Sequence, residues 1–196
     1  YNYEELRLLL KATGYHFFSN GDTEVILKAY DAWGRDCVKH LNGMFAFAIY
    51  ERDSGRLFLA RDRLGIKPLY YHKTPHTFCF ASSLPALIAG GRVDGEIDPV
   101  ALHHYMTFHS IVPAPHTILR DVRKLPPGET MTIDARGEVE RETYWQLSFG
   151  LRPEEHAYEL PDWEALVRQV LRESVRRRLT ADVPVGVLLS GGVDSS

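Results

Sequence analysis

Ser190-Gly191-Gly192-Val193-Asp194-Ser195-Ser196 carries the densest chemistry in the chain. It directly follows the apolar run 183–189, which reads as a buried strand. Two adjacent glycines let the backbone turn tightly and approach a ligand closely. Exposed amides at such a turn, and the start of a following helix, attract an anion. Ser190, Ser195 and Ser196 add hydroxyl donors, and Asp194 is placed to orient the loop or help hold magnesium. These features make a phosphate cradle. It is not a Walker loop, because no lysine follows the glycines. The plainer reading is a tight strand-to-helix turn with capping serines.

Asp22 is the second candidate, within Ser19-Asn20-Gly21-Asp22-Thr23-Glu24-Val25. The string reads as a turn opening a helix, with Asp22 as N-cap and Glu24 in the first turn. Taken alone, Asp22 is a plain cap. His103, His104, His109 and His116 cluster, but their spacing fits no zinc pattern, and one helix cannot aim residues 103 and 104 the same way. No metal site is assigned to them. The two cysteines, Cys37 and Cys79, sit in apolar surroundings that read as core, with nothing nearby to lower a thiol pKa. Arg176-Arg177-Arg178 reads as a solvated helix end that favours the helix dipole.

The elements that must position these residues follow from periodicity. Helices are expected over 3–12, from Asp22 to about Trp33, over 35–41, 85–89, from Pro99 (capped by Asp98) to Phe108, and from Asp162 to about Leu179. Strands are expected over 15–18, 44–50, 56–60, 69–71, 77–81, 130–133, 139–145 and 183–189. The run 44–50 is nearly all apolar, as in a strand buried on both faces. Residues 110–128 are proline-rich and read as an ordered loop, and 149–160 as a linker.

Composition limits the remaining possibilities. The 196 residues are 44% hydrophobic, with 23 basic and 26 acidic side chains and a net charge of -3. This is globular composition, with no electrostatic case for nucleic acid or an anionic membrane as partner. No apolar run approaches the ~18 residues of a membrane helix. Two cysteines and no export signal point to a reducing, cytoplasmic setting. The chain opens on polar Tyr1-Asn2-Tyr3-Glu4-Glu5 without Met and stops inside the glycine loop, so it is expected to be an internal stretch of a longer protein.

Two more strings complete the pattern. They are Leu41-Asn42-Gly43-Met44-Phe45-Ala46-Phe47-Ala48 and Ala60-Arg61-Asp62-Arg63-Leu64-Gly65-Ile66-Lys67-Pro68-Leu69-Tyr70-Tyr71. With the Asp22 string, and in this order before the glycine loop, they resemble the glutamine-hydrolysing asparagine synthetases over essentially the whole chain. The resemblance implies a class II glutamine amidotransferase domain over 1–148, an α+β N-terminal-nucleophile fold with two stacked antiparallel sheets between helices (an αββα sandwich). It implies a linker over 149–160. Over 161–196 it implies the first helix and strand of an α/β, Rossmann-like ATP-pyrophosphatase domain.

The implied reaction hydrolyses glutamine at one site and passes ammonia through an internal tunnel to a carboxyl-adenylate, releasing AMP and pyrophosphate. Excluding water protects that adenylate. ATP and Mg2+ are the implied cofactors. The implied partners are glutamine and a carboxylate acceptor, aspartate or a related acid, and a homodimer is compatible with the resemblance. Asp22 matches the family aspartate that binds the glutamine α-ammonium. Leu188 matches a backbone contact to adenine, and Ser190, Gly191, Gly192, Val193, Asp194, Ser195 and Ser196 match the pyrophosphate loop. The family nucleophile is an N-terminal cysteine that uses its own amine as base. It is expected upstream of Tyr1, as are the arginine that clamps the substrate carboxylate and the Asn-Gly oxyanion donors. No catalytic residue is therefore assigned within the chain, and Arg61-Asp62-Arg63-Leu64-Gly65 is read as architectural.

Phe80-Ala81-Ser82-Ser83-Leu84-Pro85-Ala86 departs from the family's Phe-Ala-Ser-Glu-x-Lys-Ala. The departure resembles the branch that amidates N-acetylglutaminylglutamine, which leaves the acceptor open. The motifs are also compatible with a β-lactam-synthetase-like ligase without glutaminase activity, and with a non-catalytic module of the same fold.

Overall fold

The computed structural model describes residues 1–181 and 183–193. They fall into two compact units, Tyr3–Leu147 and a second comprising Tyr1–Asn2 with Ser148–Ser196. In chain order the larger unit holds α1 (Tyr3–Ala12), α2 (Asp22–Trp33), a 3-10 turn (Gly34–Asp36) and α3 (Cys37–His40). The hairpins β1 (Ala46–Glu51) with β2 (Arg56–Arg61) and β3 (Tyr70–Lys73) with β4 (Phe78–Ala81) come next. Then follow α4 (Leu84–Ala89), α5 (Pro99–Thr107), β5 (Val122–Lys124), β6 (Glu129–Ile133) and β7 (Val139–Thr143). One antiparallel sheet runs β1-β2-β6-β7 and the other β4-β3-β5.

Side-chain alternation along the strands builds four layers. On β2, Phe58 and Ala60 point into a core made with Leu6 and Leu10 of α1, Val25 and Ala29 of α2, and Cys37 and Val38 of α3. Leu57 and Leu59 point the opposite way and, with Met131 and Ile133 of β6, pack against Tyr71 and Phe78 of the second sheet. The outer face of that second sheet presents Tyr70, Cys79, Ala81 and Val122 to Leu84 and Leu87 of α4. The order helix, sheet, sheet, helix is the expected αββα sandwich. Burying side chains such as Phe58 and Leu59 stabilises it by about 1.5–3 kcal/mol each.

Several local expectations are corrected. The strand buried on both faces is β2, not the run 44–50. β1 lies at the sheet edge and only Ile49 of it is buried, because an edge strand has a neighbour on one side alone. Residues 15–18 are not a strand, since no strand lies beside them to complete a ladder. Asp22 is not the N-cap. Gly21 takes that place, with no side-chain cap, and Asp22 is the first helical residue. The proline-rich loop contains β5, which pairs with β3. Asp98 caps α5 as expected, accepting from the Val100 and Ala101 amides. Ser83, at the departure from the family string, caps α4 by accepting from Ala86 N.

The second unit holds a 3-10 turn (Pro153–Ala157) and α6 (Leu160–Arg178). The buried Glu155 carboxylate accepts from the Arg152 amide and Nε, each at 2.7 Å. Arg176 and Arg177 pair with Glu173 at the end of α6. The described residues of 183–189 form no strand and are exposed. No strand is described elsewhere in this unit, and an unpaired β segment has no ladder to join. Among the described residues, no helix is long and apolar enough to cross a membrane.

Candidate functional site

The site is built from the turn before α2 outward. Glu24 is buried, and its carboxylate accepts from the Phe18 amide at 3.1 Å, the Ser19 amide at 2.8 Å and the Ser19 hydroxyl at 2.7 Å. Arg7 of α1 donates from the other side to the carbonyls of Ser19 and Gly21, and lies over the Phe17 ring. Residues 17–21 are thus clamped between a carboxylate and a guanidinium. Burial pushes the Glu24 carboxyl up, but hydrogen bonds from Ser19 and the Phe18 and Ser19 amides outweigh it and hold the pKa below the ordinary 4.5.

That shift predicts a pH dependence. A lowered carboxyl pKa in the folded state contributes stability that is complete above the unfolded value and lost as pH falls through the folded one. Glu24→Gln should therefore melt below wild type at neutral pH, by roughly 2–4 °C. The gap should close as pH drops below 4.5. Thermal melts over a pH series check this, and a gap that stays constant with pH would contradict it.

On the opposite side, buried charge shapes the chain between β2 and β3. Asp62 is 1% exposed. Its carboxylate accepts from the amides of Leu64, Ile66 and Lys67 at 3.2, 3.0 and 2.9 Å. Arg61 is also buried and donates to the carbonyls of Lys67 at 2.8 Å, Leu125 at 2.5 Å and Gly65 at 2.6 Å. Gly65 has φ +64°, and a Cβ there would meet Pro127 Cγ at 2.9 Å and Arg61 Cζ at 3.0 Å. Only glycine fits this approach to the guanidinium. Tyr144 Oη donates to the Arg61 carbonyl at 2.8 Å, and burial pushes that phenol up to about 12, so it stays a donor. Lys67 is therefore pinned through both its amide and its carbonyl.

Between these supports lies a cleft of about 370 Å3. Asp22 and Thr23 at the start of α2, Met44 to Ile49 along the β1 edge, Lys67-Pro68 and Ser82 line it. Asp22 is exposed, and its carboxylate makes no hydrogen bond or ion pair with the described residues; the same holds for the Lys67 ammonium. An apolar floor with one carboxylate and one ammonium at its rim suits a small zwitterion.

The glycine loop is described through Val193. Gly191 has φ +72°, with open space where a Cβ would project, and Ser190 Oγ accepts from the Gly192 amide at 3.3 Å. Leu188 and Val193 are fully exposed. Asp194, Ser195 and Ser196 lie outside the described residues. Cys37 is buried, which pushes its thiol up to about 12 and leaves it unreactive. Among the described residues, no three His, Cys, Asp or Glu side chains converge as metal ligands.

Of the groups at or beside the cleft, the sequence singles out Asp22 as a candidate, while Arg7 and Lys67 carry no signal of their own. Glu24 carries one signal, an acidic residue in the first turn of α2. Its true partners lie before the helix, where periodicity says nothing. The architectural reading of Asp62 matches its three amide bonds.

Comparison with known proteins adds independent findings. Residues 1–145 match the family model described as a glutamine amidotransferase domain, and residues 166–196 match asparagine synthase. Asparagine synthetase (glutamine-hydrolyzing) 3 of Bacillus subtilis (strain 168) is 37% identical over 196 residues, covering 100% of this chain and 31% of the relative. Asparagine synthetase (glutamine-hydrolyzing) 1 of the same organism is 40% identical, covering 100% of this chain and 30% of the relative. The chain thus spans about 30% of the length of these curated relatives. Among solved structures, glutamine phosphoribosylpyrophosphate amidotransferase from B. subtilis is similar at TM-score 0.50 and 19% identity, over 74% of this chain and 27% of that one. A structure described as the allosteric regulatory enzyme of purine biosynthesis gives TM-score 0.53 at 20% identity, with the same coverage of 74% and 27%. At this identity the likeness is one of fold.

Proposed function

The chain belongs to the glutamine amidotransferase family over residues 1–145, and on that premise we propose that it is part of a glutamine- and ATP-dependent amidotransferase of the asparagine synthetase type. Residues 1–148 are assigned to glutamine hydrolysis, 149–160 to a linker and 161–196 to the start of the synthetase domain. The observation that carries the reading is Asp22, whose carboxylate lies on the cleft without a partner among the described residues. It is suited to accept from the α-ammonium of glutamine in a charge-assisted contact. The apolar run along β1 would hold the aliphatic stem of the substrate. Hydrolysis of the glutamine side-chain amide, with water supplying the oxygen as the C–N bond breaks, leaves glutamate and releases ammonia as the nucleophile for the second half-reaction. There the ammonia forms a C–N bond at an activated carboxyl carbon as the bond to AMP breaks.

ATP would lie along Leu188 and Ser190 to Ser196, with its pyrophosphate at the glycine turn. Mg2+, when bound there, would neutralise phosphate charge, and Asp194 is the acidic residue of the loop. The acceptor is aspartate or a related carboxylic acid. Two free cysteines support a reducing, cytoplasmic setting.

Product analysis of the full-length protein tests the proposal. With glutamine, ATP and a carboxylic acid acceptor, amide formation should be matched one-to-one by AMP and pyrophosphate. ADP and inorganic phosphate instead would refute the pyrophosphate-loop assignment.

A further inference from the structure

The described fold leaves α5 almost bare. The helix has nine residues, and only Ala101 of them is buried. His104 is half-buried, with its ring edge to face against His116. Val100, Leu102, Tyr105 and Met106 of the helix, and Phe108 and Ile111 just after it, are exposed, Met106 at 75%. A helix this short is marginal in water, where packing supplies most helical stability. Both of its ends are nonetheless held. At the start, Asp98 caps the helix and its amide donates to the Ile118 carbonyl at 2.9 Å, while Arg120 pairs with Glu96 at 2.5 Å. At the end, the Ser110 amide donates to the Tyr105 carbonyl at 2.8 Å. His109 and Ser110 stand there at φ +50° and +70°, a left-handed pair that side chains seldom adopt. An apolar helix is thus fixed in place with little to pack against.

The sequence around it says what kind of cover it takes. Residues 99–119 contain no Lys, Arg, Asp or Glu, although 25% of the chain is charged. Loss of charge marks the core of an interface, and a contiguous exposed apolar patch marks a contact site. Such a face has no charge with which to steer or register a freely diffusing partner. A domain in the same polypeptide needs neither, because the chain holds it at a high effective concentration. The chain spans 31% of a curated relative, so a full-length protein of that size has ample further sequence to cover the face.

We infer that the α5 face, from Val100 to Ile111, is the docking surface for the body of the synthetase domain of the same polypeptide, the part beyond residues 161–196. The inference rests on the assignment of 161–196 to the start of that domain. In the full-length protein α5 is then a covered helix at a domain boundary, with Met106 inside the contact.

Peroxide oxidation of the full-length protein, read by peptide mass spectrometry, tests it. Met106 reports on the face, and Met131, 1% exposed between the two sheets, reports on the core. Met106 should oxidise roughly ten-fold or more slower than free methionine, close to Met131. That protection should not change with protein concentration. Leu102→Glu, one helical turn from Met106, should bring Met106 near the free rate while Met131 stays slow. Oxidation of wild-type Met106 at the free rate overturns the inference, whether or not the variant folds. Protection that falls on dilution gives the face to a second copy and overturns it as well. So does a slow Met106 that Leu102→Glu leaves unchanged while Met131 stays slow. The measurement uses neither glutamine nor ATP, so its failure is distinct from release of ADP and phosphate, which would refute the reaction assigned above.

Discussion

Asp22→Asn is expected to raise the glutamine KM of the full-length enzyme by roughly ten- to hundred-fold while ammonia-dependent synthesis continues. A charge-assisted contact to the substrate α-ammonium contributes about 1.5–3 kcal/mol, which converts to that range. Asparagine keeps the shape but not the charge, so the loss falls on binding the cation. The fold makes the test clean. Gly21 is the N-cap of α2, and Asp22 has no hydrogen bond within the described residues. Removing its carboxylate should cost only the dipole contribution at the first turn, about 0.3–1 kcal/mol. Steady-state kinetics with glutamine and with ammonia, plus thermal melts of Asp22→Ala, separate the two roles. Unchanged glutamine kinetics together with a large fall in melting temperature would make Asp22 a structural residue and remove the substrate assignment.

The largest expected effect on stability is at Asp62. Asp62→Ala leaves three amides, those of Leu64, Ile66 and Lys67, without their acceptor in a buried place. It also leaves the buried Arg61 guanidinium without its neighbouring negative charge. Breaking such an arrangement from one side costs about 3–5 kcal/mol. At roughly 2–4 °C per kcal/mol for a domain of this size, the melting temperature should fall by about ten degrees. Asp62→Asn, which keeps one acceptor oxygen, should fall less. Calorimetry of both variants checks the order. A fall of a degree or two for Asp62→Ala would mean that the loop carrying Lys67 holds its shape without the carboxylate.

These two aspartates differ in how far sequence can assign them. Asp62 sits in a string whose conformation is local: its carboxylate serves amides two, four and five residues ahead. An architectural reading is therefore available from the chain. Asp22 looks like a cap because Asp favours that position. Its actual place is decided by Glu24 and Arg7, which draw the preceding turn inward and leave Gly21 at the helix start. The ring contact between His104 and His116 likewise joins a helix to a loop and is not visible in their spacing.

Local chemistry is enough for the helices α1, α2 and α5 and for the β1–β2, β3–β4 and β6–β7 hairpins. Their periodicity, turn residues and the Asp98-Pro99 start are encoded within a few residues of each element. The motif strings carry the family and, through it, the αββα expectation. Long-range packing settles the rest. It makes β2 the strand buried on both faces and β1 the exposed edge, although both runs are apolar. It recruits three residues of a proline-rich loop as β5, whose hydrogen bonds go to a strand about fifty residues away. It leaves 183–189 without a ladder. A strand is defined by its neighbours, and a cleft by the elements that meet around it. Neither is written in the spacing of one segment, because the bonds and contacts that create them join residues far apart in the chain.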